Sequence, residues 1–254
     1  MPEREPARLA GRVAIVTGAG QGLGRAFAHR LAEDGARVVI ADRNGDAARA
    51  VADEVGAAAT ALEVDVADEA SVTAMVDAVQ DRYGRLDILV NNAALFSTLR
   101  IGPFEDITVA EWDEVMAVNV RGPFLCCRAA AAPMRRQGYG KIINISSAAV
   151  LLGRPGYLHY VTSKAALIGM TRSLATELGP YGITVNAILP GSTETEVPRN
   201  TVTPEQISRL IERQAIKRRQ VPADLLGIVS FLASPDSDFM TGQSVNVDGG
   251  AAFL

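Results

Sequence analysis

Tyr160 stands four residues ahead of Lys164 in the stretch YLHYVTSKAAL. Four residues is about one helical turn, so on a helix the phenol and the ammonium leave the same face with their ends within reach. A phenol titrates near pH 10, too high for easy proton exchange at neutrality. A neighbouring ammonium favours the phenolate, typically by about 1–3 units, so the pair can work as a general acid/base. Lysine is scarce here, with only Lys141, Lys164 and Lys217 among 25 basic residues. A compact ammonium in place of the chain's usual guanidinium suits that task.

The pair follows KIINISSAAV, a β-branched run that ends in Ser146 and Ser147. A strand ending there could present a serine hydroxyl beside the phenol at its carboxyl end. A second constellation lies near the start, where an apolar run leads into TGAGQGLG with Gly18, Gly20, Gly22 and Gly24. Glycines allow a tight turn and let backbone N–H groups at a helix N-terminus approach a pyrophosphate. The motif gains weight from its context: a strand precedes it, a helix opens at about Leu23, and VVIADRN places Asp42 at a second strand's end. A carboxylate there can accept from both hydroxyls of an adenosine ribose and would repel a 2′-phosphate, which points to NAD over NADP. Arg43 pulls the other way, since it could pair with that phosphate. The plainer reading of Asp42 is a turn or N-cap residue. An oxidised nicotinamide beside Tyr160 would add a second positive charge favouring the phenolate.

The elements that must position these residues are legible as alternation. Short β-branched runs (RVAIVTG, ARVVIAD, TALEVDV, LDILVNN, GKIINIS, GITVNAILP and SVNVD) alternate with segments of helical period. That is the pattern of βαβ units, and the near-continuous apolarity of the runs suits strands covered on both faces. The expected architecture is α/β, a doubly wound Rossmann fold with a seven-stranded parallel sheet and helices on both faces. Residues 1–254 read as one domain, and no linker or repeat divides them. Residues 192–221 are polar and poor in strand signal; after a strand's carboxyl end they read as a substrate lid or as a solvated excursion.

Together these motifs resemble the short-chain dehydrogenase/reductase family, from about Leu9 to Gly250. The glycine motif appears as Thr17, Gly18, Gly22 and Gly24, with Gln21 and Leu23 inside it, and the cofactor-selecting acid as Asp42. VDV supplies Asp65 and Val66, which the resemblance places by the adenine ring. NNAA supplies Asn91 and Asn92, and MAVNV supplies Asn119. ILPGSTET supplies Pro190, Gly191, Thr193 and Thr195 near the nicotinamide. The resemblance implies that Tyr160 exchanges the proton, Ser147 orients the substrate oxygen, and Lys164 holds the nicotinamide ribose and lowers the tyrosine pKa. It also implies that Asn119 holds a water linking Lys164 to solvent. Ser147 as a turn residue and Asn119 as a structural amide are the plainer alternatives. The chain departs from the family at Ala94, where glycine is usual, and at Thr193, where Ile or Val is frequent.

The implied reaction is hydride transfer between NAD(H) and a secondary alcohol or ketone. Pocket segments read as ALFSTL, AAVLLG, Tyr157 and the stretch from Ser192. Their apolarity favours an alicyclic, aromatic or aliphatic alcohol, although Glu194, Glu196 and Arg199 add charge. The enzymatic alternative is an NADPH-dependent 3-oxoacyl-carrier-protein reductase, whose acidic partner could meet Arg135, Arg136 and Lys141 in MRRQGYGK. A non-catalytic dinucleotide-binding sensor is the alternative outside enzymes.

A net charge of −4 argues against a nucleic-acid or anionic-membrane surface. The first apolar run is too short for a signal or membrane segment, so a cytoplasmic protein is expected. Adjacent Cys126 and Cys127 read as buried thiols, and no Cys/His spacing suggests a metal. A homotetramer is expected from the resemblance. His159, beside Tyr160, faces away from it on a helix, and His29 reads as a helix-surface residue.

Overall fold

The computed structural model describes residues 7–198 and 203–253; Arg199, expected to contribute charge near the pocket, lies outside the described residues. The seven runs form seven strands: β1 (Val13–Thr17), β2 (Arg37–Asp42), β3 (Ala59–Glu63), β4 (Ile88–Asn91), β5 (Gly140–Ile145), β6 (Ile183–Pro190) and β7 (Ser244–Val247). They build one parallel sheet in the order β3-β2-β1-β4-β5-β6-β7. The connecting helices are α1 (Gly22–Glu33), α2 (Gly45–Val55), α3 (Glu69–Tyr83), α4 (Val109–Met116), α5 (Gly122–Gln137), α6 (Ala149–Leu152), α7 (Leu158–Leu178), α8 (Pro204–Arg213) and α9 (Ala223–Ala233).

The period of two along each strand sends alternate side chains to opposite faces. Val13 and Ile15 of β1 join a core with residues of α3, α5 and α7, including Val76, Leu125 and Leu178. Ala14 and Val16 join the opposite core with Phe27 of α1, Ala48 of α2 and Leu225 of α9. A fully buried side chain such as Phe27 contributes about 1.5–3 kcal/mol, so both faces are strongly held.

The strand order reverses between β1 and β4, and a crevice opens at their carboxyl ends, where this class of sheet binds ligands. Thr17 fixes that seam. Its hydroxyl donates to the Val90 carbonyl and accepts the amides of Asn92 and Ala93, at 3.0 and 3.1 Å. Local signals set the helix ends around it. Asp68 caps α3 by accepting from the Ala70 and Ser71 amides, and Thr108 and Glu111 form a capping box on α4. Strand β3 stops at Glu63, so Asp65 and Val66 lie beyond it. There the Asp65 carboxylate accepts the Ala67 amide and turns the chain.

Two glycines are required by the turn after β1. Gly18 has φ +62°, and a Cβ there would come within 2.7 Å of the Ala93 Cα. A Cβ on Gly24 would collide with the Gly18 carbonyl oxygen, so α1 packs closely only because residue 24 has no side chain. Among the described residues only glycines have positive φ, so Ala94 sits in ordinary backbone and its departure from glycine causes no strain there.

Candidate active site

A cleft of about 390 Å³ runs along the carboxyl edge of the sheet. Of the residues expected at the site, Gly18, Gln21, Gly22, Leu23, Asp42, Asp65, Val66, Asn92, Ser147, Tyr160, Lys164, Pro190, Gly191, Thr193 and Thr195 all line it. Gly24 and Asn119 do not. Gly24 lies behind the loop, where its role is close packing. Asn119 is fully buried in a widened π turn, Ala117–Arg121, between α4 and α5. Its Oδ1 accepts the Leu95 amide at 2.7 Å, and its Nδ2 donates to the Leu95 carbonyl and the Ser163 Oγ. Its side chain therefore ties the loop after β4 to α7, and its partners are Leu95 and Ser163, not Lys164.

At the α1 end, Asp42 is held before any ligand arrives. Its Oδ2 accepts the Gly20 amide and its Oδ1 the Asn44 amide, both at 2.9 Å. Asn92 donates to the carbonyls of Thr17 and Gly18, which shapes the glycine loop. Arg43 lines the same end of the cleft. The Gly22 amide, at the N-terminus of α1, donates to Glu196 Oε1 at 2.8 Å, and Arg25 Nη1 lies 3.6 Å from that oxygen. This carboxylate stands in for an anionic ligand oxygen where the helix dipole favours negative charge. Burial alone would raise the pKa of Glu196, but the Gly22 amide and Arg25 hold it below the usual carboxylate range. A glycine turn, an amide already occupied by an anion, and a fixed carboxylate beyond it fit a dinucleotide.

At the other end, Tyr160 and Lys164 share the first turns of α7. The Lys164 Nζ lies 5.8 Å from the Tyr160 ring centroid and donates to the Ile145 carbonyl at 2.8 Å. Ser146 Oγ donates to the Lys164 carbonyl, fastening α7 to the end of β5. Burial pulls the Lys164 pKa down to about 8. Ser147 Oγ accepts the Ala149 amide at 3.1 Å, which leaves its O–H to donate into the cleft. The family resemblance points to Ser147 over Ser146; both border the cleft, but Ser146 is only 3% exposed and its hydroxyl is spent on the Lys164 carbonyl.

His159 is buried outside the cleft, with its pKa lowered chiefly by burial and partly restored by Glu111. His29 pairs with Glu54 on the surface of α1. Cys126 and Cys127 are free and buried, and burial pushes the Cys127 thiol up to about 12. Lys141 is not available to an acidic partner. It is 1% exposed and its Nζ meets Asp238 at 2.7 Å, because β5 carries it into the interior. Phe96 lines the cleft and Arg154 and Leu210 line a smaller chamber beside it; no motif in the sequence singles out these three residues. Phe96 and Leu210 lie within segments that the sequence marks for the pocket, whereas Arg154 falls just past AAVLLG and nothing local marks it.

The fold and the cleft define a Rossmann-type dinucleotide-binding protein. A family model described as "Enoyl-(Acyl carrier protein) reductase" matches residues 18–252. The chain is 41% identical to a probable galactose dehydrogenase of Rhizobium meliloti, over 98% of each chain. It is 42% identical to a sorbitol dehydrogenase of Cereibacter sphaeroides, over 96% of this chain and 98% of that one. A crystal structure of a 3-ketoacyl-(acyl-carrier-protein) reductase from Brucella melitensis, complexed with NADH, superposes with a TM-score of 0.89 at 35% identity, covering 96% of this chain and 100% of that one. The chain belongs to the short-chain dehydrogenase/reductase family and is an oxidoreductase. Among its described residues no helix is long and apolar enough to cross a membrane.

Proposed function

We propose that this protein transfers a hydride between NAD(H) and a secondary alcohol or its ketone, with Tyr160 as general acid/base. The observation that carries this reading is the span of one cleft, lined by Asp42 at the end of β2 and by Ser147, Tyr160 and Lys164 beside β5. β2 and β5 are three strand spacings apart, about 14 Å, which suits an extended dinucleotide with its adenosine at one end and nicotinamide at the other. The bound nicotinamide supplies or accepts the hydride. In the oxidative direction the carbinol O–H proton passes to the Tyr160 oxygen as the carbinol C–H leaves as hydride. Ser147 donates a hydrogen bond to the same substrate oxygen. Lys164 places a positive charge beside the phenol, favouring phenolate. Asn119 acts as a positioning residue through Leu95 and Ser163.

Asp42 favours NAD(H), since its fixed carboxylate would meet a 2′-phosphate with like charge. Residues 192–221 form the substrate cover, and the enzyme works as a cytoplasmic homotetramer. The half-exposed Phe124 and Leu158, on α5 and α7, support such an assembly. Light scattering that gave a monomer at micromolar concentration would remove it.

Fluorescence titration with NADH and NADPH is the first test. Tighter NADH binding, followed by NAD-linked oxidation of members of a secondary-alcohol panel, is the expected result. Preference for NADPH would mean that Arg43 outweighs Asp42. A second reading, 3-oxoacyl-carrier-protein reductase, is favoured by the Brucella melitensis structure. Because that protein holds NADH, cofactor preference does not divide the two readings, and 3-oxoacyl thioesters must be tried beside the alcohols. Burial of Lys141 weakens the second reading. Arg135 is also engaged, with Glu177 at 3.6 Å and the Tyr181 ring beneath it, which leaves Arg136 the least committed of the three. Binding of NADH without turnover of any alcohol or ketone would instead favour a sensor.

A further inference from the structure

Beside Ser147 and Tyr160 the cleft opens into a chamber of about 60 Å³. Its walls are largely apolar, with Phe96, Leu152 and Leu210 among them. An aromatic series leads away from the proton-exchanging phenol. The Phe96 ring lies 4.6 Å from Tyr160 and 6.0 Å from Tyr157, measured between centroids. At the far end the Arg154 guanidinium sits 4.8 Å from the Tyr157 centroid. Stacking of this kind orients a guanidinium while leaving its N–H edge able to bind.

Arg154 is the only charged side chain among the residues lining the chamber. Among the described residues no carboxylate lies within 4.0 Å of it, whereas Arg12, Arg25, Arg30, Arg85, Arg218 and Arg219 each have one. A planar cation with five donors, held on an aromatic wall in an otherwise uncharged chamber, matches a carboxylate bidentately. We propose that Arg154 binds a substrate carboxylate, so that the preferred substrate is a hydroxy acid or keto acid with its carbinol at Tyr160. This rests on the reading of Tyr160 as the acid/base of an alcohol dehydrogenase.

The test pairs short secondary hydroxy acids with their methyl esters, using NAD, in the wild type and in Arg154→Gln and Arg154→Lys. The wild type is expected to favour the acids in kcat/KM. Arg154→Gln should shrink that acid-to-ester ratio by about 10–100-fold, mainly through KM, and Arg154→Lys should restore part of it. Equal use of acid and ester by the wild type, or an unchanged ratio in Arg154→Gln, overturns the proposal while leaving the dehydrogenase reading intact. Calorimetric titration of the matching unhydroxylated acids into the NADH complex provides a readout without turnover. Binding by the wild type that Arg154→Gln loses supports the subsite even if no alcohol is oxidised; no binding by the wild type overturns it.

Discussion

The two sides of the cleft are built by different means. On the dinucleotide side, β1, β2 and β4 end together, and backbone groups do most of the holding: Gly20 and Asn44 fix Asp42, and the carbonyls of Thr17 and Gly18 fix Asn92. On the side of Ser147 and Tyr160, the described residues of 192–221 are held by side-chain links together with backbone bonds from Glu194 to Gln220 and from Ile216 to Gly249. Thr193 pairs with Gln220, Arg219 with Glu194, and none of the described side chains of α8 is buried. A ligand of constant chemistry can be met by preformed backbone, whereas a varied substrate needs a wall that changes without disturbing the sheet. The curated relatives fit this contrast, carrying the names of galactose and sorbitol dehydrogenases at similar identity.

The comparison can be broken at its chemistry first. Tyr160→Phe should lower kcat by about 10²–10⁴-fold while NADH still binds, and Lys164→Ala should abolish turnover together with much of the ribose contact. Retained activity in steady-state assays of both variants would sink the assignment. Next, Asp42→Ala should weaken NADH about 10-fold or more and narrow its advantage over NADPH, because it removes both the ribose acceptor and the tie to Gly20. An unchanged ratio of the two dissociation constants would show that selectivity lies elsewhere.

A control outside the cleft separates scaffold from site. Asp87 is fully buried and accepts from Arg85, Arg12 and the Val13 amide. Burial alone would raise its pKa, but Arg85, the Val13 amide and Arg12 together hold it below the usual carboxylate range. Its folded pKa is therefore below its unfolded value near 3.9, so its contribution is present above that pH and is lost as pH falls through the folded pKa. Asp87→Asn should cost about 1.5–3 kcal/mol at pH 7 and flatten the acid limb of stability in denaturant titrations. The smallest effect is expected at the contact joining the two sides. Glu196→Gln should tighten NADH about 2–5-fold by removing a charge from the α1 N-terminus; weaker binding by titration would show that Glu196 helps the ligand.

Much of the scaffold was legible because its signals are local. The seven β-branched runs became the seven strands, and the Tyr160–Lys164 spacing placed both groups on α7. Contacts set by topology were not legible. Glu196 and Gly22 are 174 residues apart, and Lys141 meets Ser237, 96 residues away, so no window of sequence contains either pair. Asn119 shows the intermediate case: its place in a helical stretch was readable, but the π turn that aims its amide at Leu95 arises from packing between α4, α5 and α7.

The contact between Glu196 and Gly22 also bears on the order of events. Were a ligand phosphate to take the Gly22 amide, Glu196 would have to leave it, and occupancy of the cleft and placement of the segment around Glu196 would form a single coupled equilibrium. Such coupling is reciprocal: a substrate that draws the segment toward itself strengthens the hold on the dinucleotide by the same factor by which the dinucleotide strengthens the hold on substrate. Release of Glu196 by the first ligand would leave the substrate side ready for the second.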